Sequence, residues 1–148
     1  MSTPTIEAYL NFNGNCAEAM RFYEKTIGGK LEMMMKFSES PDPEMCPPAG
    51  TPADVADRIL HASLLVGTQR VLASDTMPGQ TYEGQKGIAL AISYPTVDEA
   101  RKVFDTFATG GRVDMPLSPT FWAEAFGSVV DRFGTCWLVN GGPKEIGA

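Results

Sequence analysis

Apolar residues follow the same two patterns in each half of the chain. In Thr5–Phe12 every second residue is apolar, which predicts a strand, and the helical spacing of apolar residues in Asn15–Ile27 predicts an amphipathic helix. Gly87–Ser93 and Thr96–Thr109 repeat this pair further along the chain. The pattern therefore indicates a strand–helix unit that is used twice.

Both predicted helices carry the same signals at their ends. Asn15 and Thr96 are suitable N-cap residues, and in each case a Glu stands at the third helical position. A glycine pair follows each helix, Gly28-Gly29 in the first half and Gly110-Gly111 in the second, as is common where a helix ends. Self-similarity of this kind is typical of an internal repeat.

Shorter alternating runs follow each helix, so each unit is predicted to have the order βαβββ and the fold class is α+β. In the first of these runs, Leu31, Met33, Met35 and Phe37 are expected to share a face. The runs are Lys30–Phe37, Arg58–Val66, Gln69–Asp75, Arg112–Leu117, Thr120–Val130 and Thr135–Asn140. Two such units usually enclose a groove that can hold a ligand.

The segment Ser38–Asp57 interrupts the first unit. It holds five of the chain's 11 prolines, which exclude a central strand or a regular helix. Loops of this length in compact domains are usually functional or mobile. We expect this segment to act as a lid over the ligand or as a strap between subunits.

Composition and charge exclude several classes of protein. The net charge is -6 and the 12 Lys and Arg residues are scattered, whereas nucleic-acid binding needs clustered positive charge. No apolar run approaches the ~20 residues of a membrane span, and Met1–Ile6 lacks the features of a signal peptide. Three cysteines with no close pair argue against a disulfide framework. We therefore expect a cytoplasmic protein that binds neither membranes nor nucleic acid.

Several short motifs carry a resemblance to a known family, and they cover nearly the whole chain in the expected order. Together with the repeated βαβββ order they resemble the vicinal oxygen chelate (glyoxalase/bleomycin resistance/dioxygenase) superfamily, and more narrowly its PhnB-like branch. The motifs are Tyr9-Leu10-Asn11-Phe12-Asn13-Gly14, Glu18-Ala19 with Phe22-Tyr23, Ile59-Leu60-His61-Ala62, Phe121-Trp122, Asp131-Arg132-Phe133-Gly134 and Trp137.

The resemblance implies a single glyoxalase-like domain over residues 1–148. Its two modules, at about 5–76 and 87–141, would form curved mixed sheets, each curling into half of an open barrel, and the chain would be a homodimer. Some members of the branch carry a name that suggests ubiquinone methylation. This sequence gives no support for that activity, because no strand leads into a glycine-rich turn that could hold a methyl-donor nucleotide.

In metal-dependent members of the superfamily, four strand positions supply His, Glu or Gln ligands. Carried over to this chain, they fall at Glu7, at Ala73 or Asp75, at Gly87 and at Leu138. Gly, Ala and Leu cannot hold a divalent cation, which needs about three N or O ligands. No metal site and no cofactor are therefore predicted.

The groove is instead expected to be lined by polar and aromatic side chains. His61, the only histidine, is either a hydrogen-bonded structural residue or a proton donor or acceptor facing the groove. Cys136 has no visible base partner, which favours a structural role over a nucleophilic one. One concave pocket should contact at least three of Tyr9, Asn11, His61, Asp75, Trp122 and Asn140. The full set of ligand-binding candidates is Glu7, Tyr9, Asn11, His61, Asp75, Trp122, Cys136 and Asn140.

Three functions remain open from the sequence. The first is a metal-dependent lyase, isomerase or dioxygenase of the glyoxalase type, and the missing ligands count against it. The second is a metal-free protein that binds a small aromatic or hydrophobic compound. A metal-free small-molecule site is favoured, whether or not it is catalytic. The third is a metal-free enzyme that uses Glu7, Asp75 or His61 as an acid or base.

Overall fold

A computed structural model describes residues 2–77 and 79–145 of the chain. The chain forms two compact units, and the division between them falls between Gly84 and Gln85. In each unit a four-stranded mixed sheet is packed against a helix of 12 residues. The predicted α+β fold with two βαβββ modules is thereby confirmed, while a single domain spanning both modules remains a prediction.

The first unit has the sheet order β1-β4-β3-β2. β1 and β4 are parallel, and the other neighbouring strands are antiparallel. Its elements are β1 (Ala8–Phe12), α1 (Cys16–Ile27), β2 (Lys30–Lys36), a 3₁₀ turn (Phe37–Glu39), α2 (Ala53–Ala56), β3 (Ile59–Val66) and β4 (Gln69–Asp75).

The second unit repeats this topology with the sheet order β5-β8-β7-β6 and a parallel β5–β8 pair. Its elements are β5 (Leu90–Tyr94), α3 (Val97–Ala108), β6 (Arg112–Ser118), β7 (Ala123–Val130) and β8 (Cys136–Pro143). Within the described residues, no helix is long and apolar enough to cross a membrane.

In the first unit, the core lies between α1 and one face of the sheet. Leu10 and Phe12 of β1 are buried, and the Phe12 ring lies 6.4 Å from the ring of Tyr23 on α1. Because alternate strand residues point to opposite faces, Tyr9 and Asn11 lie on the other side. We call the side opposite the helix the helix-free face of a sheet.

The second unit buries its core in the same way. Trp137 of β8 stacks on Phe107 of α3 with ring centroids 4.6 Å apart. At Gly127, a Cβ atom would lie 2.7 Å from the Phe104 ring and 2.8 Å from the Met115 carbonyl oxygen. Glycine is therefore needed at this point of β7 for the helix and the neighbouring strand to approach so closely.

Asn15 and Thr96 occupy the N-cap positions of α1 and α3 as predicted, but the two caps differ in their hydrogen bonds. Thr96 accepts a hydrogen bond from the Glu99 backbone N–H and caps α3 as expected. The Asn15 side chain makes no cap hydrogen bond. The Cys16 backbone N–H donates instead to the carboxylate of Asp75, at the end of β4, so a distant residue satisfies the helix end.

The predicted alternation in β2 is also wrong in detail. Leu31 pairs with Leu64 and Met33 pairs with Ser63, so Glu32 is an extra residue in the ladder. A bulge of this kind shifts the side-chain alternation by one residue. As a result Leu31 and Met33 do not share a face, and Met33 is 45% exposed.

The proline-rich segment Ser38–Asp57 contains no strand, as predicted, but it includes the short helix α2. Local turns organise the rest of it: the Ser40 hydroxyl accepts from the Asp42 backbone N–H, and the Thr51 hydroxyl donates to the Pro48 carbonyl. Its role as a lid or strap remains a prediction.

The environment of Cys16 predicts a specific loss of stability in alkali. This thiol is fully buried, and burial, followed by the nearby Asp75 carboxylate, raises its pKa. The folded chain therefore holds this proton more tightly than the unfolded chain. The resulting stabilisation is complete below the ordinary thiol pKa of about 8.5 and declines above it, by up to about 1.4 kcal/mol per pH unit.

Urea unfolding between pH 7 and pH 10 should show this decline in the wild type, and the pH slope should be shallower in Cys16→Ala. An equal slope in both proteins would contradict the assignment. Cys46 serves as an internal control, because it is partly exposed and should react with a thiol reagent in the folded protein while Cys16 does not.

Candidate functional site

Two of the predicted site residues meet on the helix-free face of the first unit. Tyr9, which is 47% exposed, lies with its ring centroid 6.0 Å from that of His61 on β3. The strand pairing explains the contact: Tyr9 is opposite Leu72, and Leu72 is opposite Ser63, two residues from His61. His61 is therefore on the side away from α1, which the sequence left open.

Asn11 is further along the same face. It pairs with Ser74 of β4, whose hydroxyl donates to Asn11 Oδ1 at 3.3 Å. Beside it is a cavity of about 460 Å³, largely lined by polar residues of the segment that leaves the unit. The lining residues are Asn11, Thr76, Gln80, Thr81, Tyr82, Glu83 and Gly84.

Asp75 does not line a pocket on the helix-free face, contrary to the sequence prediction. Its side chain is on the helix side of the sheet and the residue is 2% exposed. Oδ1 accepts from the Gly14 and Cys16 backbone N–H groups at 2.7 and 3.0 Å, and Oδ2 accepts from the Ile59 N–H at 2.9 Å. The prediction failed because Phe12, a core residue, is the register partner of Asp75.

Glu7 precedes β1 and is exposed. It therefore lies outside the sheet, although the alternation of the adjoining strand would put it on the side of Tyr9.

In the second unit, β8 separates its side chains as the alternation predicted. Trp137 and Val139 are buried on the side of α3, so Cys136, Leu138 and Asn140 lie on the helix-free face. Cys136 Sγ is 3.9 Å from the hydroxyl of Ser128 on β7.

Trp122 and Asn140 are joined by a direct hydrogen bond. The indole Nε1–H of Trp122 donates to Asn140 Oδ1 at 2.9 Å. The Trp122 ring also meets Phe121 and Phe126 edge-on, with centroids 4.8 and 5.1 Å away. This combination fixes the indole plane between two aromatic rings and one amide.

A cavity of about 490 Å³ adjoins this pair at the end of the sheet. Its volume is within the range of small-molecule sites, and its walls are mostly apolar. The described lining residues are Ser93, Tyr94, Pro95, Trp122, Ala123, Asn140 and Pro143. Ser93 was not predicted as a site residue, yet the sequence contained a signal, because it occupies an outward position of the alternating strand β5.

Tyr94 is a further lining residue that the sequence did not reveal. Its hydroxyl oxygen is buried and has no hydrogen-bond partner among the described residues. Burial, followed by the nearby Glu99 carboxylate, raises the pKa of this phenol. An unsatisfied buried hydroxyl costs about 1–3 kcal/mol. The residues around Tyr94 in the sequence do not predict that its hydroxyl is buried.

The positions that hold a metal in related proteins do not form a donor set here. Ala73 is buried on the helix side, Leu138 is apolar, and both carboxylate oxygens of Asp75 already accept backbone N–H groups. Over residues 2–77 and 79–145, no three His, Cys, Asp or Glu side chains gather in a way that could hold a metal ion. These residues therefore do not fit the metal site that the family implies.

Comparison with known proteins identifies the family. A model described as the Glyoxalase/Bleomycin resistance protein/Dioxygenase superfamily matches residues 5–139. The chain is 34% identical over 140 residues to Protein YjdN of Escherichia coli (strain K12), a match that covers 91% of this chain and 93% of YjdN. The chain therefore belongs to this superfamily.

Solved structures agree with this assignment. Protein PA1353 from Pseudomonas aeruginosa is 45% identical with a TM-score of 0.83, over 93% of this chain and 97% of PA1353. A putative 3-demethylubiquinone-9 3-methyltransferase, PhnB protein, from Bacillus cereus is 22% identical with a TM-score of 0.74, over 93% and 98% of the two chains. The second likeness establishes a shared fold alone.

Neither of the two cavities contacts three of the six candidate residues, although the sequence predicted one pocket that would. The cavity in the second unit contacts two of the six, Trp122 and Asn140, and the cavity in the first unit contacts one, Asn11. The part of these residues in ligand binding remains a prediction.

The hydrogen bonds of Asp75 predict that this residue stabilises the fold. Asp75→Ala leaves three buried or part-buried backbone N–H groups without their acceptor, which should lower the free energy of unfolding by about 3 kcal/mol or more. Chemical denaturation measures this change. Asp57→Ala is the matched control, because its ion pair with Lys36 is about half exposed and should contribute under about 1 kcal/mol. Equal effects of the two substitutions would contradict the structural role.

Proposed function

We propose that this superfamily member binds a small molecule with a flat, partly apolar body on the helix-free side of its sheets, without the metal site that is usual in the family. The observation that carries the proposal is the cavity beside the hydrogen-bonded Trp122–Asn140 pair. An aromatic wall with a few fixed polar groups is the common design of small-molecule sites.

Contacts in the second unit support this proposal. The Trp122 ring is held by Phe126 and by Asn140, so little side-chain freedom would be lost when a ligand packs against it, and pre-organisation of this kind favours binding. In the first unit, Tyr9 and His61 form a separate aromatic surface on the helix-free face. An acid–base role for Asp75 loses its support, since both oxygens are engaged, whereas Glu7 and His61 remain candidates for such a role.

A metal-dependent lyase, isomerase or dioxygenase is the alternative that must be tested directly. Elemental analysis of protein purified without chelators should find no stoichiometric transition metal. Zinc, nickel, manganese or iron at about one equivalent per chain would overturn the metal-free part of the proposal.

A ligand screen tests the binding site itself. Dicarbonyl adducts, catechols and aromatic antibiotics are added to the protein, and a compound that binds the folded state should raise its melting temperature. Trp122→Ala should weaken the binding of a true ligand by about tenfold or more, since it removes the aromatic wall. Tyr9→Ala tests in the same way whether a ligand binds to the first unit.

The matched control for this screen is Phe121→Ala, because Phe121 touches Trp122 but is 72% exposed and does not line the cavity. Circular dichroism establishes that each variant is folded. A compound whose stabilisation survives both Trp122→Ala and Tyr9→Ala binds elsewhere, and if every hit behaved in this way the proposed site would be wrong.

We further propose a homodimer that functions in the cytoplasm. β2 and β6, each at one edge of its sheet, carry exposed apolar side chains, Met33 at 45% and Met115 at 51%. Exposed sheet edges are usually paired or covered in natural proteins. Light scattering at micromolar concentration should give twice the chain mass of 16.0 kDa. A particle of 16.0 kDa would count against the dimer.

A further inference from the structure

The Trp122–Asn140 hydrogen bond fixes the orientation of the Asn140 amide. An indole N–H is only a donor, so the atom of Asn140 that faces it must be the carbonyl oxygen. The amide nitrogen Nδ2 is then turned away from Trp122 with two N–H groups, and no described residue accepts a hydrogen bond from it. Asn140 lines the cavity, so a ligand there can receive these two donors.

Ser93 adds a second polar group at the same level of the sheet. It pairs directly with Asn140 in the parallel β5–β8 register, and it also lines the cavity. Its hydroxyl can donate alongside the amide, so two neighbouring strands offer hydrogen bonds to one ligand atom. This convergence depends on the pairing register and does not appear in either strand alone.

The lack of charged lining residues determines which hydrogen-bond acceptor a ligand of this cavity would carry. All of its described lining residues are uncharged, and the chain as a whole carries a net charge of -6. A carboxylate or phosphate would gain no cationic partner among these lining residues, and the nearby Lys144 already directs its ammonium group to the Thr120 carbonyl, so burying a charge there is unfavourable. A neutral carbonyl oxygen needs only the hydrogen bonds that Asn140 and Ser93 can supply.

We infer that this cavity recognises a neutral aryl carbonyl compound, an aromatic ketone or amide, whose oxygen accepts from Asn140 Nδ2 and Ser93 Oγ while its ring packs on Trp122. The inference rests on the proposed small-molecule function and names the class of ligand for the same site. Binding of the aromatic ring and recognition of the carbonyl oxygen can be measured separately, by comparing probes with and without the oxygen.

The test is a titration with three probes of similar size: acetophenone, ethylbenzene and benzoate. The indole N–H signal of Trp122, assigned by its loss in Trp122→Phe, reports binding in ¹H–¹⁵N spectra. Acetophenone should bind about tenfold or more tightly than ethylbenzene, which lacks the oxygen, because a donor site discriminates against a ligand without the acceptor. Benzoate should bind more weakly than acetophenone.

The matched substitution is Asn140→Asp, which keeps an oxygen for Trp122 but removes the two amide donors. It should weaken acetophenone by about fivefold or more and ethylbenzene by less than about twofold. Asn13→Asp is the control for the added charge, because Asn13 also uses its Oδ1 in a hydrogen bond but is exposed and lines neither cavity, and it should leave the affinity for acetophenone unchanged.

The outcomes distinguish failure of the binding site from failure of carbonyl recognition. If no probe moves the Trp122 signal, the binding site itself is wrong and the inference falls with it. If acetophenone and ethylbenzene bind equally, or benzoate binds most tightly, the site holds small molecules but does not recognise a neutral carbonyl. Equal losses in Asn140→Asp and Asn13→Asp would likewise overturn the inference, since they would reflect charge alone.

Discussion

The buried carboxylate of Asp75 is the interaction on which the first unit depends. It ends β4, satisfies the first N–H of α1 at Cys16, and accepts the N–H of Ile59 where β3 begins. A single side chain thus holds three segments that are distant in sequence, and it does so where unpaired N–H groups are costly. The second unit also has a buried carboxylate, Asp131, but its role is local: it accepts from the Phe133 and Thr135 N–H groups and from the Trp137 indole, and so organises the turn that leads into β8.

The helix-free face of each sheet carries polar side chains that could contact a ligand. Core residues and anchoring carboxylates occupy the helix side, so the polar groups that remain on the helix-free face are not required for the core. The same register position carries Asn11 opposite Ser74 in the first unit and Ser93 opposite Asn140 in the second. Both units therefore place one amide and one hydroxyl at this position, and the strand that supplies the amide differs between them.

Membership of the superfamily and the chemistry of the site are separate findings. The match over residues 5–139 and the likeness to Protein YjdN establish the family, but a fold does not by itself specify an activity. At the positions where relatives hold a metal, this chain has a buried Ala73, an apolar Leu138 and an Asp75 whose oxygens are engaged. These residues do not form the donor set of a metal site, and the activity of the chain therefore does not follow from its family alone.

The sequence by itself determined the βαβββ repeat, the separation of Trp137 from Asn140 on β8, and the glycine-bounded helices, because hydrophobic period and turn chemistry are local properties. It could not reveal that Asp75 would cap α1 or that Glu32 would shift the alternation in β2, because both depend on pairing with residues far along the chain. The side on which His61 lies and the orientation of the Asn140 amide were likewise decided by the tertiary structure. Strand register and side-chain hydrogen bonds between distant segments set both, and a local pattern contains no information about either.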